Sequence, residues 1–123
     1  MMKEIGYITK HISTLLELAI ADNEPIYLGH TNIAHMKSSH PEDFEKYGAD
    51  LPSILKEPDY VGLNKRDNSI EFVKEYKIGN EFVKVAVRVS GGNKYFARSL
   101  YVLNSERVLR FIAKGTLKRH KLL

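Results

Sequence analysis

The dipeptide Gly79-Asn80 stands between two stretches of alternating sequence, and it constrains the fold more than any other feature of this chain. Gly-Asn is a two-residue hairpin signal, because both residues tolerate the positive φ that such turns need. The flanking stretches 69–78 and 81–90 are rich in β-branched and aromatic residues, so we expect two antiparallel strands. A two-residue turn pairs Ile78 with Glu81, and that register decides which side chains share a face.

This predicted register divides the hairpin into an apolar and a polar face. The apolar face carries Tyr76/Val83, Phe72/Val87 and Ile70/Val89, with Lys74/Val85 as the exception. The polar face carries Glu75/Lys84, Val73/Ala86 and Glu71/Arg88. Two pairs of opposite charge lie directly across the strands, which supports this register.

A second hairpin at Gly91-Gly92 leads into a third strand over residues 93–103. If this turn also has two residues, Lys84 lies opposite Ser99, and alternate residues of the third strand join the polar face: Tyr95, Ala97, Ser99 and Tyr101. A three-residue loop would reverse the faces of this third strand. The composition of the polar face suits a phosphodiester ligand, because cations neutralise phosphate and tyrosine rings stack on bases. An exposed sheet face with salt bridges and no ligand would have the same composition.

The remainder of the chain predicts short elements around this hairpin. We expect strands at 3–9, 26–28 and 60–65, and helices at 11–21, 31–39, 42–47, 50–56 and 104–115. The first helix is expected to stop at Asp22-Asn23, and Thr31 or Asn32 is expected to cap the second. The length predicts one α+β domain over residues 1–123, with a basic tail over 116–123.

Charge is divided unequally along the chain. Residues 1–68 carry 7 Lys and Arg against 11 Asp and Glu, whereas residues 69–123 carry 12 against 4. The net charges are −4 and +8, and the basic half is the half that reads as sheet. A one-sided basic surface attracts polyanions, and nucleic acid is the commonest of these in cells. A passive surface that aids solubility is the alternative.

Several classes of function are excluded or disfavoured. The chain has no cysteine, which excludes disulfides, thiol nucleophiles and Cys-ligated zinc. No apolar run is long enough to cross a bilayer, and the N-terminus lacks a secretory signal pattern, so we expect a cytoplasmic protein or one delivered into a target cell's cytoplasm. Motifs of nucleotide-binding loops, zinc proteases and nucleophile elbows are missing. The acidic cluster Glu42, Asp43 and Glu45 indicates a solvated helical turn.

Three of the five histidines, His30, His35 and His40, lie within eleven residues. Histidine is the usual proton-transfer residue near neutral pH. A spacing of five residues does not place two side chains on one helix face, so these three disfavour a metal site. A structural or surface role is the plainer explanation for each of them.

The order of short motifs resembles the phage-associated branch of the barnase/EndoU/colicin/RelE-like (BECR) nucleases over residues 24–115. The motifs are His35-x-x-x-x-His40-Pro41, Leu51-Pro52-x-Ile54-Leu55-x-x-Pro58-Asp59-Tyr60-Val61-Gly62 and Arg98-Ser99-Leu100-Tyr101. This resemblance implies N-terminal helices packed on a roughly four-stranded antiparallel sheet, with a C-terminal helix after it. It also implies RNA cleavage without a metal or other cofactor, in a toxin or effector of a phage or mobile element.

Site residues follow from the resemblance and from the register together. The resemblance makes His35 the first candidate for general acid or base, with Ser99 and Tyr101 as its hydroxyl-x-aromatic pair and His40 as a less secure candidate. The register makes Lys84 and Arg88 candidates for phosphate binding. Arg98 and His30 complete the predicted substrate-binding set.

Two hypotheses stay open at this point. The first is a small endoribonuclease acting on tRNA or mRNA and restrained by an acidic immunity or antitoxin protein. The second is a non-catalytic module of the same fold that binds nucleic acid or protein in phage–host regulation. Neither hypothesis involves a membrane partner.

Overall fold

The computed structural model describes residues 2–90 and 92–120 of the 123-residue chain. Its strands form one mixed sheet in the order β1-β2-β6-β5-β4-β3-β7, in which only β2 and β6 are parallel neighbours. The strands are β1 (Met2–Ile8), β2 (Glu24–Gly29), β3 (Tyr60–Asn64), β4 (Ser69–Tyr76), β5 (Glu81–Val89), β6 (Tyr95–Leu103) and β7 (Leu117–Arg119). The α+β class is confirmed, but a four-stranded antiparallel sheet is too small: β3–β6 form one, and three further strands extend it.

Helices are interleaved with the strands rather than gathered at the N-terminus. They are α1 (Lys10–Leu15), α2 (His30–Ser39), α3 (Pro41–Tyr47), α4 (Leu51–Lys56) and α5 (Ser105–Lys114). The predicted C-terminal helix is present as α5. None of the helices in the described part of the chain has the length and apolarity that a bilayer crossing requires.

The first helix is shorter than its apolar spacing predicts. It ends at Leu15, because Glu17 takes a left-handed conformation with φ of 55°. Leu18 and Ile20 still pack against the core from the loop that follows. Burial of apolar side chains at helical spacing therefore does not require a helix here.

The β4–β5 turn has four residues, not two. Tyr76 pairs with Glu81, so residues 77–80 form the turn and every predicted pair shifts by two. Glu81 is bound by Lys46 at 2.7 Å and by the Tyr47 hydroxyl, while Tyr76 donates to Asp50 Oδ2 at 2.9 Å. These contacts fix the last pair of the ladder and leave residue 78 at the exposed tip. A shift of two preserves the faces, so the division into apolar and polar sides holds.

The third strand keeps the predicted faces over only part of its length. Ala86 pairs with Ser99 but Val87 pairs with Ala97, so Arg98 is an extra residue at a β-bulge. On one side of the bulge, Ser99 and Tyr101 share the face of Lys84. On the other side the faces are reversed: Ala97 is fully buried and Tyr95 packs on the core, against prediction. Gly91, in the predicted Gly91-Gly92 turn, lies outside the described residues.

Two hydrophobic clusters lie on opposite faces of the sheet. The larger joins α1, α2, α3 and α4 to the apolar face, around Phe72, Val85 and Leu100. The smaller packs α5 onto the other face through Val108, against Val73 and Phe82. The predicted polar face is therefore covered by α5 at one end, and it stays accessible around Arg88.

Part of the predicted basic tail belongs to the sheet. Residues 117–119 form β7 and pair with Tyr60–Gly62, and Leu117 is buried. A Cβ built on Gly62 would lie 2.6 Å from the Thr116 carbonyl oxygen, so only glycine permits this approach. Residues 121–123 of the predicted tail lie outside the described residues.

We therefore expect Gly62→Ala to destabilise the protein by about 2 kcal/mol, because the added methyl group overpacks the contact between β3 and the chain entering β7. Urea denaturation would measure this loss. Gly92→Ala is the control, since nothing lies within 4 Å of a Cβ built there. Equal stability of the two variants would show that the close approach of the Thr116 carbonyl oxygen does not restrict residue 62 to glycine.

Candidate active site

The edge of β6 is covered by a strand at one end and by helices at the other. β2 pairs with β6 over only two residues, Ile26 with Tyr95 and Tyr27 with Phe96. Beyond that point the β6 edge faces α2 and α3, and Asp43 Oδ2 accepts a hydrogen bond from the Val102 N–H at 3.0 Å. Asp43 is thus a partner of the sheet and not the solvated residue that its acidic neighbours predict.

A groove of about 670 Å³ lies between α2 and the polar face of β5 and β6. We call it the histidine groove. Its walls come from α2, the β3–β4 turn, β4, β5 and β6: Thr31, Asn32, His35, Asp67, Ser69, Ala86, Arg88, Ser90, Phe96, Arg98 and Ser99. Four predicted site residues, contributed by α2, β5 and β6, therefore meet here: His35, Arg88, Arg98 and Ser99.

The position of His35 follows from how α2 begins and packs. Asn32 Oδ1 accepts a hydrogen bond from the Gly29 N–H at 2.9 Å, so Gly29 is the N-cap and the helix starts at His30. The two predicted caps, Thr31 and Asn32, therefore both lie inside the helix. Met36 on the next position is buried in the main cluster, which turns His35 outward along the groove. The imidazole is exposed, and Ser39 Oγ one turn later lies 3.4 Å from its Nε2.

The two arginines reach the groove from adjacent strands with different partners. Arg88 on β5 is 3.5 Å from Asp67 Oδ2, a longer contact than a close ion pair. Asp67 also accepts hydrogen bonds from the Ser69 hydroxyl and backbone N–H, and these hold the pKa of the Asp67 carboxyl below its usual value. Asp67 therefore stays charged beside Arg88 at neutral pH. Arg98 is the bulged residue of β6 and forms no ion pair within the described chain.

Ser99 faces Ala86 across the ladder, and the small alanine side chain leaves its hydroxyl accessible from the groove. The bulge also brings Phe96 onto the same wall. Phe96 was not among the predicted site residues, because an uninterrupted strand would have placed it on the core face. Asp67 and Ser69 were not predicted as site residues either, because the β3–β4 turn contains no recognisable functional motif.

Three other predicted residues form a second group beside the groove, which we call the tyrosine cluster: His40, Lys84 and Tyr101 with Glu71. The His40 ring stacks on Tyr101 with centroids 4.8 Å apart and planes 25° apart. Lys84 Nζ lies 4.8 Å from the centroid of the same ring and 3.0 Å from Glu71 Oε2. His30 joins neither group: it is the exposed first residue of α2.

Lys84 is charged and already paired in this arrangement. Burial lowers the pKa of its amine, but the Tyr101 hydroxyl and the Glu71 carboxylate raise that pKa by more, so that the net shift is upward. The side chains of Lys84 and Glu71 are only 12% and 10% exposed. We conclude that Lys84 serves first to neutralise Glu71 in the sheet and is less available to a ligand than Arg98.

No group of three or more His, Asp or Glu side chains placed to hold a metal ion occurs in residues 2–90 and 92–120. The polar groups of the histidine groove are an imidazole, two guanidinium groups and hydroxyls, with one carboxylate at the rim. This combination can move a proton and bind a phosphate in the same place.

Comparison with protein-family models matches residues 3–110 to the family of phage-Barnase-EndoU-ColicinE5/D-RelE-like nucleases, type 3. The match covers most of the chain. The chain belongs to this family. The resemblance carried by the histidine, Leu-Pro and Arg-Ser-x-Tyr motifs is thereby confirmed at the level of a phage-associated BECR-like nuclease family. Comparisons with curated proteins and with solved structures found no match.

In this BECR-like protein, Glu71→Gln should lower the free energy of unfolding by about 3 kcal/mol, because it leaves the nearly buried charge of Lys84 unpaired. The pKa of Lys84 is raised in the folded state, so the ion pair stabilises the folded protein at neutral pH. This contribution to the free energy of unfolding is lost only as the pH rises through the raised pKa. Urea denaturation at pH 7 measures the loss.

The double variant Glu71→Gln/Lys84→Met should recover most of this stability, because it removes both charges together. If the single and double variants are equally unstable, the charge pair is not the cause.

Proposed function

We propose that this protein is a small, metal-independent endoribonuclease that cleaves RNA through attack by a ribose 2′-hydroxyl. The observation that supports the proposal most strongly is the histidine groove. It gathers an exposed imidazole, two guanidinium groups and a serine hydroxyl from parts of the chain that are far apart in sequence. Membership in a nuclease family adds independent support for phosphodiester chemistry.

The proposed reaction needs two proton transfers and one displacement at phosphorus. A general base removes the proton from the 2′-hydroxyl, whose oxygen forms a bond to the adjacent phosphorus. The bond from phosphorus to the 5′-oxygen breaks, and a general acid donates a proton to that oxygen. The products are a 2′,3′-cyclic phosphate and a 5′-hydroxyl end.

Each residue of the groove has a role that matches its chemistry. His35 performs one of the two proton transfers, because its side chain is the imidazole that lines the groove. Arg88 and Arg98 bind the non-bridging oxygens of the phosphate and stabilise their growing charge. Ser99 donates a hydrogen bond to the same phosphate. Tyr101 and His40, beside the groove, are the candidates for the second proton transfer.

The biological role that fits this chemistry is a toxin or effector of a phage or other mobile element. Its target would be cellular RNA, tRNA or mRNA. A host that makes such a protein needs protection, and an acidic immunity or antitoxin protein would complement the basic second half of the chain.

The test is incubation of the purified protein with total RNA in the presence of EDTA, followed by analysis of the ends produced. We expect fragments with 2′,3′-cyclic phosphate ends. His35→Ala should slow cleavage by about 10²-fold or more, as loss of a general acid or base does. Ser99→Ala should slow it by about tenfold, because one hydrogen bond to a charged group is lost.

Ser38→Ala is the matched control, since Ser38 is an exposed residue of the same helix outside the groove. It should cleave like the wild type. In cells, His35→Ala and not Ser38→Ala should relieve any growth inhibition caused by expression. RNA that is bound but left intact under all conditions would instead favour the non-catalytic binding module.

A further inference from the structure

A second depression of about 810 Å³ lies on the same face of the sheet as the histidine groove. We call it the basic basin. It is bounded by the β3–β4 turn, by β5 and β6, and by α5 with the chain that follows. Six cationic side chains line it: Lys65, Arg66, Lys84, Arg107, Lys114 and Lys118. Two carboxylates, those of Glu17 and Glu71, offset part of this charge.

Four of these cations are available to a ligand. Lys84 is paired with Glu71, and Lys118 Nζ donates to the Leu15 carbonyl oxygen at 3.1 Å. The other four are exposed, and they form no ion pair within the residues that the structure describes: Lys65, Arg66, Arg107 and Lys114. Exposed cations that lack an ion-pair partner and face one another across a concave surface repel, and an anion bound between them removes that repulsion.

The basin and the histidine groove are adjacent along β5 and β6. Lys84 and Tyr101 line the basin, and two residues further along β5 and β6 Ala86 and Ser99 line the groove. Two residues of strand span about 7 Å, so a bound chain passes from one to the other without leaving the sheet. Tyr101 and Phe111 add aromatic surface to the lining of the basin.

We propose that the basic basin is a binding subsite for the backbone of single-stranded RNA, next to the scissile phosphate in the histidine groove. This proposal rests on the proposed function for the identity of the ligand. Its consequence is a length requirement. A dinucleotide reaches only the groove, whereas a longer RNA engages the cations of α5 as well and binds more tightly.

Arg107 and Lys114 lie seven residues apart on α5, so they project from the same side of the helix into the basin. RNA fits this arrangement better than an acidic peptide does. A bound strand presents phosphate to the arginines and lysines and a base to the Phe111 ring. It also continues directly into the groove that receives a phosphate.

The test measures binding of a labelled ten-nucleotide RNA to Arg107→Gln/Lys114→Gln by fluorescence anisotropy, in a His35→Ala background that keeps the RNA intact. We expect the Kd to rise at least fivefold. The slope of log K against log salt should become shallower by about 1.4, since each phosphate contact to a single strand contributes about 0.7. The Kd of a dinucleotide should be the same with and without the Arg107→Gln/Lys114→Gln substitutions in the His35→Ala background, because a dinucleotide reaches only the groove.

The matched control is Lys56→Gln/Arg110→Gln, which removes the same charge from exposed residues outside the basin, one of them on α5. It should leave the Kd within twofold. An equal loss in both double variants would show a general charge effect and overturn the proposal, as would no loss in either.

A parallel titration with polyglutamate separates RNA from an acidic protein. Dependence of polyglutamate binding, but not RNA binding, on Arg107 and Lys114 would assign the basin to a protein partner and overturn the proposal. Because these titrations need no turnover, failure of the subsite is distinguishable from failure of the nuclease: a protein that never cleaves can still show the predicted salt slope.

Discussion

The Asp43 carboxylate accepts a hydrogen bond from the Val102 N–H and so satisfies a backbone donor of β6 that a neighbouring strand would otherwise satisfy. β2 leaves β6 after two paired residues, and an uncovered edge would expose backbone donors and acceptors. Because α3 meets that edge, α2 directly before it lies beside the same strand. The histidine of α2 and the serine of β6 face one groove for this reason. The whole candidate site therefore depends on where a sheet ends and a helix replaces it.

Alternation of apolar and polar residues predicted the faces of β4 and β5 correctly but not their register. A shift of two residues leaves every side chain on its own face, so the alternation of apolar and polar residues cannot distinguish the two registers. What distinguishes the registers is the contact of Glu81 with Lys46 and Tyr47, which lie 35 and 34 residues earlier. No local signal reports such a contact. The divided charge of the chain, by contrast, is a global property, and the basic half supplies most of the cations of this face, with Lys65 and Arg66 as the exceptions.

The bulge at Arg98 had a larger effect, because one extra residue reverses the faces beyond it. It moved Tyr95 and Ala97 into the core and brought Phe96 to the groove. Residues 95–101 contain no glycine, so the sequence does not predict a bulge at Arg98. β7 was missed for a related reason: three residues with two cations read as a tail, and the apolar contact of Leu117 with the cluster under α5 becomes visible only in three dimensions.

The acidic half and the basic half of the chain both contribute residues to the histidine groove. Its imidazole comes from the acidic half of the chain, and its guanidinium groups come from β5 and β6, 53 and 63 residues later. During synthesis, a ribosome releases α2 well before β5 and β6 exist, so the nascent chain carries no complete histidine groove until most of it has emerged. The same division makes the loop between β3 and β4 a natural place to separate the protein into two fragments, neither of which contains the complete groove until they reassociate.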